Sequence, residues 1–357
     1  MLTRNDHSDS AAVADAYESM SALWHSMEQH ARGLEPGTIW DTFECGERRM
    51  LERQIATIYQ APDAVVVSSG MCAISCAAMA IAHKFGLKVQ QNIGYGYFET
   101  TDVIDNVFRP LGVTQEAVGG GIAIIEPVAN VPGLRSHASS TFDAEVAVID
   151  NSLFSVSVNW PLWTQYIKGR FCIVESLPKY WTHAASGGVI VGDADTIEII
   201  RTTARRLGVL LSRQACISIL EEGYVETVQD RLQTMASNAQ VFASALRDIR
   251  PELVVRLPHE VARGSGLDQA LSSLAFVLYP SDLPMEEEFE RWAVSAGRLT
   301  GHPMIRAGYG WDETYGRAYG NNILNTSAGC AYLRFSVGLE DKSTIAQIAC
   351  ALERVIR

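Results

Sequence analysis

Three places in the chain have the residue types and the setting for chemistry. Lys179 follows the short apolar run Phe171-Cys-Ile-Val-Glu175 by a few positions, with Pro178 stiffening the chain in front of it and the aromatic pair Tyr180-Trp181 behind. A lysine held away from water loses its proton readily and can attack a carbonyl, although most lysines are solvated surface groups. Asp150 closes the run Val146-Ala-Val-Ile. A carboxylate there can be held against a cationic group such as a pyridinium nitrogen, or can simply cap a turn. Ser68-Ser69-Gly70-Met71 ends Ala64-Val-Val-Val and opens an Ala-rich stretch. Unpaired N–H groups and the positive end of a helix dipole make such a turn an anion site suited to phosphate, with Gly70 allowing close approach and Ser69 offering a hydroxyl. Small residues at a strand–helix junction are also just a turn.

The elements that must hold these residues alternate. The patterns predict helices over 12–32 and Arg48–Tyr59, a strand over 64–67, a helix over Met71–Phe85, a strand over Lys88–Asn92 and a helix over Thr101–Leu111. Strands follow at Ile122–Glu126, Val146–Asp150, Phe171–Glu175 and Gly188–Val191, short and apolar on both faces, as strands covered by helices on both sides are. The fold class is therefore α/β, with a mainly parallel sheet flanked by helices. Residues 194–248 read as mostly helical. Strands are expected at Leu253–Arg256, Leu274–Leu278 and Tyr332–Val337, with a closing helix over Lys342–Ile356, and together these make a smaller α+β domain. Residues 298–330 show little periodicity, and a stretch that long is often a working loop. In an open parallel sheet ligands sit beyond the carboxyl ends of the strands, so Ser68–Met71, Glu126–Asn130, Asp150–Ser152 and Glu175–Lys179 fall at one edge.

Composition narrows the class. The chain has 357 residues, 47% hydrophobic and 20% charged, with a formal net charge of −12. That acidity, with no Lys/Arg run, argues against nucleic acid and anionic membranes as partners. The start lacks the basic and apolar stretches of a signal peptide, no apolar run approaches a membrane span, and seven scattered cysteines suit free thiols; the expectation is a cytoplasmic protein. Cys72 and Cys76 lie four apart without further metal ligands nearby and read as buried core, and His259-Glu260 has no second His at helical spacing, so no metal site is expected. Gly119-Gly-Gly121 precedes a strand and is not a dinucleotide fingerprint, and no Gly-x-Ser-x-Gly elbow occurs.

Taken in order, six strings resemble the Cys/Met-metabolism family of pyridoxal 5′-phosphate (PLP) enzymes, which includes cystathionine γ-synthase, cystathionine lyases and methionine γ-lyase. They are Ser68-Ser-Gly-Met-Cys-Ala-Ile74, Tyr97-Phe-Glu-Thr100, Glu126-Pro-Val-Ala-Asn130, Val148-Ile-Asp150-Asn-Ser-Leu-Phe154, Ser176-Leu-Pro-Lys179-Tyr180 and Arg334-Phe-Ser-Val-Gly-Leu-Glu-Asp341. The resemblance implies a fold-type I, aspartate-aminotransferase-like architecture, with an N-terminal segment (1–45) making subunit contacts, a PLP-binding domain (46–230) and a smaller C-terminal domain (231–357). It implies that Lys179 carries PLP as a Schiff base and shuttles protons, that Asp150 pairs with the ring nitrogen, and that Tyr97 stacks on the ring as acid or base. Ser69, Gly70, Met71 and Ser176 would hold the phosphate, Asn130 would lie near the ring hydroxyl and the substrate, and Arg334 would clamp the substrate's α-carboxylate through two parallel hydrogen bonds. A homodimer or homotetramer is expected.

Departures from the family bear on specificity. The Tyr-x-Arg that reaches a neighbouring subunit's phosphate falls, by spacing, at Trp40-Asp-Thr42 and Cys45-Gly-Glu47, where neither residue is kept; Arg48 and Arg49 are the substitutes at hand. Pro178 stands in place of a Thr. Glu99 takes a position that often faces the substrate side chain, and Ser295, in the stretch Ser295–Asp312, has a counterpart in side-chain recognition. The implied activity is a PLP-dependent lyase or transferase performing β/γ-elimination or γ-replacement on an amino acid, with a carbon–sulfur or other Cγ leaving group. A specialised natural-product member is the alternative, for example one that eliminates halide from an unsaturated amino acid to give a propargylglycine-type alkyne. Two rivals are an aminotransferase of the same fold and a non-catalytic binding or regulatory protein on this scaffold.

Overall fold

Short strands flanked by Ala- and Ile-rich helices build the first half of the molecule. The structure, a computed structural model, describes residues 45–351 apart from 92–96, 115–120, 129–143, 168, 182–185, 263–266, 268, 279–284, 302–303, 306–308 and 320–331. The expected helix 12–32 and the positions Trp40–Thr42 lie outside the described residues.

In chain order the first half runs α1 (Gly46–Tyr59), β1 (Asp63–Val67), α2 (Gly70–Phe85), β2 (Val89–Gln91), α3 (Phe98–Val103), β3 (Ile122–Ile125), β4 (Val146–Asp150), α4 (Trp160–Tyr166), β5 (Arg170–Ser176), β6 (Gly188–Gly192), α5 (Ala194–Leu207), α6 (Arg213–Glu221) and α7 (Tyr224–Ile249). The strands form one sheet in the order β1-β6-β5-β4-β3-β2. β2, β3, β4 and β5 pair in parallel, whereas β6 is antiparallel to both β5 and β1. Because side chains alternate along a strand, the sheet fills two cores at once. Val65, Val67, Ile124, Val148 and Val174 face α2 and α5, packing on Ala73, Ala77, Ile81, Ile197 and Ile200. Val66, Ile125, Ile149, Ile173 and Val191 face the other way, onto Leu51, Ile55 and Tyr59 of α1 and Val228, Leu232 and Met235 of α7. This double burial is why the strands read as unbroken apolar runs.

The expected helix over 101–111 differs in detail. It starts earlier, at Phe98, and widens after Val103 into a π-helical turn over Ile104–Phe108.

The second half contains β7 (Val254–Arg256), β8 (Leu274–Leu278), α8 (Met285–Thr300), β9 (Tyr315–Tyr319), β10 (Tyr332–Ser336) and α9 (Lys342–Cys350). Its sheet, in the order β7-β8-β10-β9, is antiparallel throughout. Leu333 and Phe335 of β10 pack with Phe242 and Leu246 of α7, Trp292 of α8 and Ile348 of α9. The alternate residues point the other way, and Tyr332 joins the first core beside Phe276, at 6.2 Å between ring centroids. Arg334 therefore sits on the face of β10 turned toward the first sheet's core. The 26-residue α7 spans two of the three cores, with Val228–Met235 on one face of the first sheet and Ala239–Leu246 in the core of the second. Among the described residues no helix is long and apolar enough to cross a membrane.

Candidate active site

The parallel strands bring their carboxyl ends to one edge, and the antiparallel β6 brings its start, Gly188, to the same edge opposite Ser176. The N-terminus of α2 is wedged there. Ser69 is its N-cap, in extended conformation (φ −163°), and its Oγ accepts the Cys72 N–H at 3.0 Å, a cap that contributes on the order of 1 kcal/mol. Gly70 leaves no room for a side chain, since a Cβ there would lie 2.6 Å from Ser176 Cβ. Gly188 is tighter still, with a Cβ falling 2.2 Å from the Ser69 carbonyl oxygen. Two glycines thus press the Ser176 hydroxyl and the first N–H groups of α2 into one place, a cradle for an anion.

Lys179 ends a one-turn 3₁₀ segment, Leu177–Lys179, that follows β5 directly and has Pro178 at its centre. It reaches the floor of a cleft of about 300 Å³, open solvent included, lined by Tyr97, Glu126, Val128, Asp150, Ser152, Leu153, Lys179 and Tyr309. Its Nζ lies 2.8 Å from the Tyr309 hydroxyl and 5.8 Å from the centroid of the Tyr97 ring. Burial lowers the Lys179 pKa, and Arg334 pushes the same way. Asp150, Glu126 and Glu175 oppose them, and the balance stays below the usual lysine value. The amine is therefore easier to deprotonate than an ordinary lysine.

The acids around it are held in different ways. Asp150, 9% exposed, ends β4, and its Oδ1 accepts the Ser152 N–H at 3.0 Å. Ser152 in turn accepts the Ser176 N–H on Oγ at 3.1 Å, tying the ends of β4 and β5 together. Glu126 follows β3 and accepts the backbone N–H of Tyr97, which fixes the start of α3 beside the cleft. Burial and the nearby Asp150 raise the Glu126 pKa to about 8, against the Tyr97 N–H and Lys179. Glu175, on β5, is 1% exposed and accepts the Tyr59 hydroxyl. Burial pushes its pKa up to about 7.

Arg334 is 8% exposed, with its guanidinium carbon 5.6 Å from the centroid of the Tyr309 ring. Lys179, Asp150, Tyr97 and Arg334 thus converge, although they come from the turn after β5, the end of β4, the residue before α3 and the second sheet. The remaining expected residues fall elsewhere. Ser69, Gly70, Met71 and Ser176 gather at the start of α2. Glu99 is half-buried in α3 and Ser295 half-buried in α8, and neither is among the residues lining the cleft. Asn130 lies outside the described residues. Arg48 is occupied inside the fold, where its Nε donates to the Leu211 carbonyl at 2.8 Å, and Arg49 pairs with Glu52 at 3.1 Å. Glu47 pairs with Arg213 at 2.5 Å. Sequence reasoning missed Tyr309. Its only signal was the Gly-rich stretch around it, because nothing in the pattern tells which member of an aperiodic segment turns inward.

Comparison with known proteins bears on the fold. The model of the family described as Cys/Met metabolism PLP-dependent enzyme matches residues 2–126, so the match ends before Asp150, Lys179 and Arg334. Curated protein sequences give no match. Among solved structures, CalE6, a methionine gamma lyase from Micromonospora echinospora, is 20% identical, with 90% of this chain and 89% of that one covered, at a TM-score of 0.69. The metB protein of Corynebacterium glutamicum is also 20% identical, over 91% and 89%, at 0.72. Cystathionine gamma synthase from Xanthomonas oryzae pv. oryzae, solved with cystathionine, is 18% identical, over 90% and 89%, at 0.68. The expected fold-type I architecture is thereby borne out.

The residues present fit PLP. A primary amine with a lowered pKa, a carboxylate across a narrow cleft, an aromatic face and a glycine-cleared helix N-terminus are complementary to an aldehyde, a ring nitrogen, a heterocycle and a phosphate.

Proposed function

We propose that the chain is a PLP-dependent enzyme related to the Cys/Met-metabolism family and that it performs elimination or replacement at Cβ or Cγ of an amino acid, with Lys179 as the covalent anchor and proton carrier. The observation that carries this is the lowered pKa of a lysine facing Asp150 and Tyr97 across one cleft. In the same reading Ser69, Gly70, Met71 and Ser176 hold the phosphate, Asp150 holds the ring nitrogen protonated, and Tyr97 covers one ring face. Arg334 fixes the α-carboxylate, supported by its burial and its place on the face of β10 turned inward.

Bound PLP supplies an electron sink for the charge that develops at Cα. The chain's own side chains do the rest. Lys179 takes the α-proton, and the burial that lowers its pKa makes its neutral, proton-accepting form easier to reach. It can then move a proton at Cβ while the Cγ substituent departs with its bonding electron pair. In this reading Tyr97 gives that group a proton. Glu126 orients Tyr97 by accepting its backbone N–H.

The test is spectroscopic and then catalytic. The purified chain with added PLP should show a band near the visible edge that borohydride removes and that Lys179→Ala never develops. Assay against cystathionine, methionine, O-acylhomoserines and a γ-halogenated allyl amino acid then identifies the leaving group. Turnover of none of them, or formation of pyridoxamine phosphate with an amino acid alone, would sink the elimination reading.

A further inference from the structure

Tyr309 has no role in the scheme above, yet its hydroxyl touches the central amine. Its backbone is pinned on two sides. Gly310 has φ +79°, and a Cβ there would fall 1.2 Å from the Lys179 carbonyl oxygen, so the turn is pressed onto the backbone of Lys179 itself. The Gly310 N–H donates to Ser336 Oγ of β10 at 3.0 Å. The ring is 4% exposed and lies tilted against Tyr180, with centroids 5.8 Å apart. A side chain so enclosed has little freedom, and its hydroxyl stays 2.8 Å from Lys179 Nζ.

We infer that Tyr309 is a positioning residue for Lys179: its hydroxyl holds the amine at the cleft and stabilises the protonated form, setting the pH at which Lys179 can attack a carbonyl. The phenol can accept from an ammonium or donate to a neutral amine. The first bond is charge-assisted and about twice as strong as the second, so the net effect favours the ammonium. The proton moves on Lys179 and not on Tyr309. Burial first, then Tyr180, Asp150 and Glu126, raise the phenol's pKa well above its ordinary value against the opposing pull of Arg334. The other groups facing Lys179 are Asp150 at the end of β4, Glu126 after β3, Glu175 on β5, Arg334 on β10 and the ring of Tyr97. All of them remain when the Tyr309 oxygen is removed.

This rests on Lys179 being the cofactor lysine, and the experiment separates the two ideas. Apoprotein is mixed with PLP across a pH series, and the rate of covalent capture is read at the visible band. In that step the neutral amine nitrogen bonds to the aldehyde carbon and one water leaves. Parent, Tyr309→Phe and Tyr309→Met are compared, the second variant standing in should the first fold poorly. Both variants should reach full capture with the rate midpoint lowered by about 0.5–1 pH unit, making capture about 3–10-fold faster below the parent midpoint. A purely structural tyrosine would change thermal stability or final yield and leave the midpoint in place. An unmoved or raised midpoint, or loss of capture in both variants, overturns the inference. A parent chain that captures no PLP at any pH overturns the assignment of Lys179 and this inference with it.

Discussion

Replacing Glu175 by Gln should flatten the pH dependence of stability, and the size of the effect follows from burial. The folded carboxyl keeps its proton to about pH 7, because burial penalises its charged form more than the neighbouring donors and Lys179 favour it, whereas the reference value is 4.5. Folding therefore takes up a proton between these two values. The stability this contributes is complete below pH 4.5 and is lost as the pH rises to about 7. At about 1.36 kcal/mol per pH unit, the parent apoprotein loses about 2–3 kcal/mol between pH 5 and pH 8 from this one group. Gln does not titrate, and its amide oxygen can still accept the Tyr59 hydroxyl. An unfolding entropy of about 2.1 cal/mol/K per residue converts that loss to about 3 °C for a chain of this length. Differential scanning of both apoproteins at the two pH values is the assay, and contributions common to both chains, including that of Glu126, cancel in the comparison. If parent and variant lose the same amount between pH 5 and pH 8, Glu175 is already ionised in the folded chain and the argument from burial fails.

Two further outcomes test the ends of the cleft. Gly70→Ala puts a Cβ 2.6 Å from Ser176 Cβ, so the start of α2 or the end of β5 must shift. The Kd for PLP by spectral titration should rise at least about tenfold, the loss of one charge-assisted hydrogen bond to phosphate, and an unchanged Kd would place the phosphate elsewhere. Arg334→Gln should weaken binding of an amino acid to the PLP-loaded enzyme by about 30–100-fold while barely affecting the corresponding amino-acid amide. Equal losses for acid and amide would show that Arg334 does not hold the carboxylate.

Much of the fold could be read along the chain because the local signals and the packing agree. The doubly buried strands were legible as apolar runs, and Gly86 in the left-handed conformation ends α2 where the Ala-rich pattern stops. Where sequence reasoning fell short, the information was either weak or non-local. The helix Met285–Thr300 carries Phe289, Trp292, Ala293 and Ala296 at helical spacing, a pattern that was there to be found. Strand Tyr315–Tyr319 was not legible, because Gly316 and Arg317 interrupt any alternation and it exists by pairing with β10. The antiparallel direction of β6 was equally silent, since an apolar run looks the same in either direction.

Residue order alone determined the covalent chemistry on offer. A lysine, an aspartate and a glycine-cleared helix start each follow a strand, and strands that run in parallel must deliver their ends to one edge. Only the tertiary structure decided the protonation of those groups and who joins them. Desolvation depends on how much protein surrounds an atom, so the depressed pKa of Lys179 and the raised ones of Glu126 and Glu175 appear only once the chain has packed around them. Tyr309 arrives 130 residues after the lysine it touches, carried by a turn that fits because Gly310 has no side chain, and no pattern along the chain announces that meeting.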